Sequence, residues 1–199
     1  MCLWSNLKEY VRINYILRKK SFLCGVNAME IWDGYFRDGT LAGMDLRRGQ
    51  KLPEGIYHLV CEVLVRHTDG DYLLMKRSFS KPNHGGMYEA TAGGAALKGE
   101  NHFTCIQREL YEETGIRSDQ FQELDHFVSD ANQRIYYTFL CITDCPKDSV
   151  ILQKGETISY KWVSEQEFRS FISSGHMIES HKLRYLSYFL SKGYITESA

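Results

Sequence analysis

One stretch decides the fold of this chain: Gly94-Ala-Ala-Leu-Lys-Gly-Glu100, then seven residues, then Arg108-Glu109-Leu110-Tyr111-Glu112-Glu113-Thr114-Gly115-Ile116. On a helix, residues three or four apart share a face, so Glu109, Glu112 and Glu113 project together within reach of one cation. Carboxylates so close repel one another, and ionising all of them is costly unless a divalent ion neutralises the charge. The spacing therefore predicts a metal site on this helix.

The expected cation is Mg²⁺ or Mn²⁺, because carboxylate oxygens without Cys or His partners suit hard cations. The predicted ligands are Glu109, Glu112 and Glu113. Consecutive glycines at 93 and 94 let the backbone approach closely, so a main-chain carbonyl, assigned here to Gly94, is expected to join them.

Two charged residues support this face and complete the set of predicted catalytic residues. Arg108 stands four residues before Glu112, where its guanidinium can orient a glutamate by paired hydrogen bonds. Glu100, near the helix start, can pair with Arg108 or with the helix N-terminus. A solvated acidic helix face is the alternative, but the glycines, Arg108 and Glu100 stand at offsets that such a face does not require.

The helix that carries the glutamates is predicted over residues 101–114, with Gly115 just past its end. Phe103, Ile106 and Leu110 form the apolar stripe that should fix it to a sheet. Edge strands are expected between residues 29 and 55. Further strands are predicted at 57–66, 72–76, 127–128, 135–142 and 157–163, and further helices at 164–173 and 180–192. This mixture predicts an α/β or α+β sandwich.

The composition excludes several classes of protein. Lys and Arg number 24 against 25 Asp and Glu, so no basic field would hold a nucleic-acid duplex. No apolar run reaches transmembrane length, which predicts no membrane partner. The six cysteines include no C-x-x-C pair and follow no secretory signal, so reduced thiols and a cytoplasmic location are expected. A zinc site at Cys141 and Cys145 is the weaker alternative.

The first 28 residues differ from the rest of the chain, with five Lys or Arg against one Glu. We expect residues 1–28 to be an appendage and 29–199 to form one domain. Within that domain the decisive motif spans 94–116, and the C-terminal helices span about 164–192.

The motif matches the Nudix box, G-x5-E-x7-R-E-U-x-E-E-x-G-U with U aliphatic, at every fixed position, so the chain resembles the Nudix hydrolases. That resemblance implies an α/β/α sandwich around a mixed β-sheet, with the box forming a loop, a helix and a loop. It also implies metal-dependent hydrolysis of a diphosphate linkage in a small molecule, a nucleoside diphosphate derivative, by water attack on phosphorus. The glutamates would bind the metal. The general base is not assigned, because it differs between members.

The segments 52–58, 73–78 and 86–93 resemble the isopentenyl-diphosphate isomerase branch of the family. Such isomerases carry a catalytic cysteine before the box and a histidine shortly after it, and here Gly93 and Ala95 stand at about those positions. An alkene carbon would then have no obvious proton donor or acceptor, which favours hydrolysis. Isomerase-like activity and a catalytically silent, ligand-sensing domain are the alternatives.

Four residues outside the box are candidates for substrate binding. His58 aligns with a histidine that such isomerases use near their metal, although a lone histidine in an apolar strand is more often structural. Arg77 leaves a hairpin and His84 lies in the following loop, where either can contact phosphate. Tyr136 can stack on a base or pack in the core. The predicted partners are a small-molecule diphosphate and, as an option, a second copy of the chain in a homodimer.

Overall fold

The computed structural model describes residues 29–196, so the predicted appendage lies outside the described residues. The strands are β1 (Ile31–Tyr35), β2 (Leu41–Arg47), β3 (His58–His67), β4 (Tyr72–Arg77), β5 (Tyr88–Ala90), β6 (Ala92–Ala95), β7 (Phe121–Ser129), β8 (Arg134–Thr143) and β9 (Thr157–Val163). The helices are α1 (His102–Thr114), α2 (Glu165–Ser173), α3 (Glu179–Arg184) and α4 (Leu186–Ser191).

Strand β3 is the centre of a mixed sheet. It runs parallel to β8 and pairs antiparallel with β6 and β4. The strand order is β5-β4-β3-β8-β7, and β9 pairs with β4. Because both faces of β3 are covered, residues 59–65 are all buried, and all of them but Glu62 are apolar, which is the pattern that predicts a central strand. β1 and β2 form a separate two-stranded sheet, as expected for residues 29–55.

Helical layers cover both faces of the large sheet. On one face Cys105, Ile106 and Leu110 of α1 pack against the sheet. On the other face the C-terminal helices α2 and α4 contribute Phe168 and Phe189 to a second core. The α/β/α sandwich with a mixed sheet is therefore confirmed.

Helix α1 begins and ends as the sequence predicts. Asn101 is its N-cap and accepts a hydrogen bond from the Thr104 N–H at 2.9 Å, and Gly115 closes it with φ of 74°. Phe103, however, is not part of the buried stripe, since 44% of it is exposed while Ile106 and Leu110 are fully buried. It lies at the edge of the helix against the rings of neighbouring aromatic residues, which include His102 and Phe139.

Two other elements differ from prediction. β7 spans Phe121–Ser129 instead of 127–128, because the polar side chains of this edge strand hide its pattern. The segment 180–192 forms two short helices instead of one, broken at Tyr185. There the N–H contacts the carbonyls of both His181 and Lys182 at 3.3 Å, a shared bond typical of a helix end. No helix within the described residues is long and apolar enough to cross a membrane.

Candidate active site

Arg108 gathers the carboxylates of the motif. Its Nε and Nη2 donate to Glu100 at 2.7 and 2.8 Å, and its Nη1 donates to Glu109 at 2.6 Å and to Glu112 at 3.2 Å. Nη2 also donates to the carbonyl of Ala95 at 3.1 Å. Burial opposes the charge, but the surrounding carboxylates hold the pKa of Arg108 well above its ordinary value. Arg108 therefore stays charged and orients the glutamates.

Glu100 bonds both to Arg108 and to the backbone of the loop before α1. Besides the paired hydrogen bonds with Arg108, it accepts a hydrogen bond from the Leu97 N–H at 2.8 Å, in the loop just before α1. This side chain thus links the loop to the middle of the helix.

Glu113 is the most enclosed glutamate of the motif, with 8% of the residue exposed. Burial raises the pKa of its carboxyl well above the ordinary value, and the charges of Glu109, Glu89 and Glu156 add to the effect. Lys81 acts in the opposite direction. The carboxylates thus form one interacting group that extends beyond the helix.

Gly94 lies directly against Glu109. A Cβ built on Gly94 would lie 2.3 Å from Glu109 Oε1 and 2.5 Å from Glu109 Cδ. The close approach therefore requires glycine at position 94. Its carbonyl faces the Sγ of Cys105, at 3.7 Å.

The donor chemistry of this face fits a hard divalent cation, since Glu109, Glu112 and Glu113 offer carboxylate oxygens in a largely buried setting. Within residues 29–196, no three His, Cys, Asp or Glu side chains are arranged as a metal-ligand group. The Arg108 guanidinium bonds to both Glu109 and Glu112.

Arg77 lies beside a second carboxylate, that of Glu89, and His84 is an exposed residue of the loop that follows β4. Arg77 Nη1 donates to Glu89 at 2.6 Å, and its Nε donates to the Asn83 carbonyl at 3.3 Å. Burial, opposed by Arg77, raises the pKa of Glu89 to about 7. His84 adopts the left-handed conformation with φ of 56°. Arg77 thus forms an ion pair with Glu89. The substrate-binding role of Arg77 stays a prediction.

His58 and Tyr136 share a different neighbourhood. His58 stacks on Trp32 at 4.3 Å between ring centroids, and its Nε2 accepts a hydrogen bond from Arg134 at 3.1 Å. Burial and the charge of Arg134 lower the pKa of His58 to about 4. Tyr136 is 3% exposed, and Arg184 covers its ring at 4.6 Å. These contacts agree with the structural alternatives that the sequence left open for both residues.

A family model for the NUDIX domain matches residues 57–181 of this chain. The chain belongs to the Nudix family. It is 31% identical over 150 residues to an uncharacterized Nudix hydrolase of Listeria monocytogenes, covering 75% of this chain and 89% of the relative. It is 27% identical to Nudix hydrolase 3 of Arabidopsis thaliana, over 73% of this chain and 21% of that protein.

Solved structures show the same fold. The protein DR0079 of Deinococcus radiodurans aligns with a TM-score of 0.64 and 18% identity, over 80% of this chain and 99% of that one. A MutT protein of Methanosarcina mazei aligns with a TM-score of 0.51 and 23% identity, over 69% of this chain and 95% of that one. The match to the family model and the similarity to the Listeria relative make this chain a Nudix hydrolase, of a family whose members generally hydrolyse nucleoside diphosphate derivatives.

The charged groups that act on Glu113 include residues that sequence reasoning did not select. Glu89 stands on β5, where an isolated charge gives no periodic signal. Lys81 forms an ion pair with Glu156, which joins the loop after β4 to the loop before β9. Only the fold brings Glu89 and Lys81 near Glu113, so composition and spacing could not have identified them.

Proposed function

We propose that this Nudix hydrolase cleaves a diphosphate linkage in a nucleoside diphosphate derivative by water attack on phosphorus, with Mg²⁺ or Mn²⁺ at α1. The acidic face of α1 is the observation that carries the proposal. Glu109, Glu112 and Glu113 share this face. Burial is the main cause of the raised pKa of the Glu113 carboxyl, and the negative charge of Glu109 raises it further. A divalent cation is the natural counter-charge for such a group, and it also binds phosphate oxygens.

A divalent ion at this face would withdraw charge from the phosphoryl oxygens and favour attack on phosphorus. The protein would hold this ion in position. Arg108, held by Glu100, orients Glu109 and Glu112, and Gly94 leaves room for the Glu109 carboxylate. Arg77 offers a guanidinium next to the same carboxylate group, where substrate phosphate would need a positive partner.

The test is a substrate screen with Mg²⁺ or Mn²⁺. The panel holds nucleotide sugars, dinucleoside polyphosphates, nucleoside triphosphates and prenyl diphosphates, and phosphate-bond cleavage and allylic isomer are both measured. Cleavage of a nucleotide derivative supports the proposal. Isomer without cleavage would establish the isomerase alternative, and binding without either product would establish the sensing alternative.

The same screen is run on Glu112→Gln and on the control Glu165→Gln. Glu112 lies on the acidic face, whereas Glu165 pairs with Arg66 at 3.6 Å at the start of α2. We expect Glu112→Gln to lose cleavage while its circular dichroism spectrum and melting temperature stay close to those of the unmodified protein. Glu165→Gln should retain cleavage. Full turnover by Glu112→Gln would reject the metal-site assignment.

A further inference from the structure

Consecutive glycines place two acidic side chains on opposite faces of β6. Gly94 faces α1, where it contacts the Glu109 carboxylate. Gly93 pairs with Glu62 of β3, and a Cβ built on Gly93 would lie 2.7 Å from Glu62 Cγ. The stem of Glu62 therefore crosses the backbone of β6 on the face that carries the C-terminal helices.

Polar side chains of α3 lie against Glu62 and Glu89. Arg184 forms an ion pair with Glu62 Oε1, and His181 Nε2 lies 4.0 Å from Glu89 Oε2. Glu62 is 7% exposed, and the adjoining Tyr185 is 1% exposed. A polar cluster, made of Glu62, Glu89, His181, Arg184 and Tyr185, thus lies between the sheet and α3.

Three buried atoms of this cluster have no hydrogen-bond partner among the described residues: Glu62 Oε2, His181 Nδ1 and the Tyr185 hydroxyl. An unpaired buried polar group is costly, so native structures almost always pair it with protein, water or ligand. Glu62 Oε2 is a pure acceptor and needs an N–H or O–H group. The concentration of three such atoms beside one ion pair indicates a position for a molecule that brings hydrogen-bonding groups.

The polar cluster reaches Arg77, a predicted phosphate-binding residue, through Glu89. Arg77 Nη1 donates to Glu89 Oε2 at 2.6 Å, and His181 Nε2 lies 4.0 Å from the same oxygen. A diphosphate bound by Arg77 would therefore have its organic group near the polar cluster.

We propose that Glu62 determines substrate specificity by accepting a hydrogen bond from an N–H or O–H group on the organic part of the diphosphate, with His181 and Tyr185 beside it. The inference rests on the proposed function. A prenyl chain has no such group and would leave Glu62 Oε2 without a hydrogen-bond partner, which is unfavourable.

The test compares matched substrates that differ in one donor. One pair carries adenine or unsubstituted purine on the same diphosphate, which differ only in the exocyclic amine, and a second pair carries ribose or deoxyribose, which differ only in the 2′-hydroxyl. Dimethylallyl diphosphate serves as the substrate without a donor. The value of kcat/KM is measured for the unmodified protein, Glu62→Gln, Tyr185→Phe and the control Glu165→Gln.

We expect a ten- to hundredfold preference for the donor-bearing member of one pair, as for other sites that recognise a buried donor. Glu62→Gln should reduce that preference to about threefold or less while leaving the weaker substrate within about threefold. Glu165→Gln should keep the preference. An equal loss on all substrates would assign Glu62 a structural role and overturn the proposal, as would a preference for dimethylallyl diphosphate.

Equilibrium binding of the same pairs, measured by calorimetry, separates this inference from the proposed function. Donor-dependent binding that Glu62→Gln abolishes, without cleavage, would support the specificity site and reject hydrolysis. Cleavage without any donor dependence would support hydrolysis and reject the specificity site.

Discussion

Gly94→Ala tests the acidic face without removing any carboxylate. The added Cβ would lie 2.3 Å from Glu109 Oε1, 2.5 Å from Glu109 Cδ and 2.8 Å from Glu109 Oε2. Ordinary van der Waals contact begins at about 3.4 Å, so the carboxylate must move by roughly 1 Å. The clashing atoms are the end of a flexible side chain, and the backbone can stay in place.

Such a displacement breaks the 2.6 Å hydrogen bond from Arg108 Nη1 to Glu109 and moves a predicted metal ligand. A misplacement of about 1 Å in a catalytic constellation can reduce the rate about a hundredfold. We therefore expect kcat/KM to fall about a hundredfold, with an increased Mn²⁺ requirement. The free energy of unfolding should fall by no more than about 2 kcal/mol, because no core side chain is lost.

The assay is cleavage of the best substrate over a Mn²⁺ titration, with urea unfolding measured in parallel. A double-mutant cycle with Glu109→Ala supplies the control, since Gly94→Ala should add little once the displaced carboxylate is absent. Gly94→Ala with unchanged turnover and metal requirement would refute the reasoning. So would an effect of equal size in the Glu109→Ala background.

Three further predictions concern stability and metal. Because the folded-state pKa of His58 is about 4 against an ordinary 6.5, the unfolded chain takes up the proton first as the pH falls, and stability is lost below pH 6.5. His58 should contribute a loss of about 2 kcal/mol between pH 8 and pH 5, measured by urea unfolding as the difference between the unmodified protein and His58→Gln. The comparison with His58→Gln is needed because Glu89, with its pKa raised to about 7, changes stability in the opposite direction over this range. Leu110→Ala removes a fully buried side chain of α1 and should lower the free energy of unfolding by about 2 to 5 kcal/mol, whereas Phe103→Ala should cost less than about 1 kcal/mol. EDTA should abolish cleavage, and Mg²⁺ or Mn²⁺ should restore it; retained activity in EDTA would contradict metal dependence.

The sequence predicted most fully what local patterns determine. The bounds of α1 follow from Asn101 and Gly115, because capping and left-handed closure are properties of a few neighbouring residues. β9 is likewise found at Thr157–Val163, as its short apolar pattern predicts. The spacing also indicated the partners of Arg108, since Glu100 and Glu112 stand at fixed offsets from it.

Features that depend on packing were less accessible to prediction. Phe103 fits the helical stripe, but its exposure depends on where the sheet ends beneath α1. β7 carries the polar face of an edge strand, so its pattern resembles a loop. Tyr185 interrupts a segment with ordinary helical composition. For Phe103 a deciding neighbour, Phe139 of β8, is distant in sequence.

The two faces of the Gly93-Gly94 pair connect catalysis with recognition in physical terms. A larger residue at 94 would displace Glu109, while at 93 a Cβ would meet the Cys61 carbonyl and the Glu62 stem, each at 2.7 Å. The first clash is with a movable carboxylate, and the second includes rigid backbone of the central strand. Substitution at 94 should therefore affect chemistry before stability, and substitution at 93 should affect stability first. If Gly93→Ala folded as stably as the unmodified protein, the close approach of Glu62 to β6, and with it the placement of the polar cluster, would have to be abandoned.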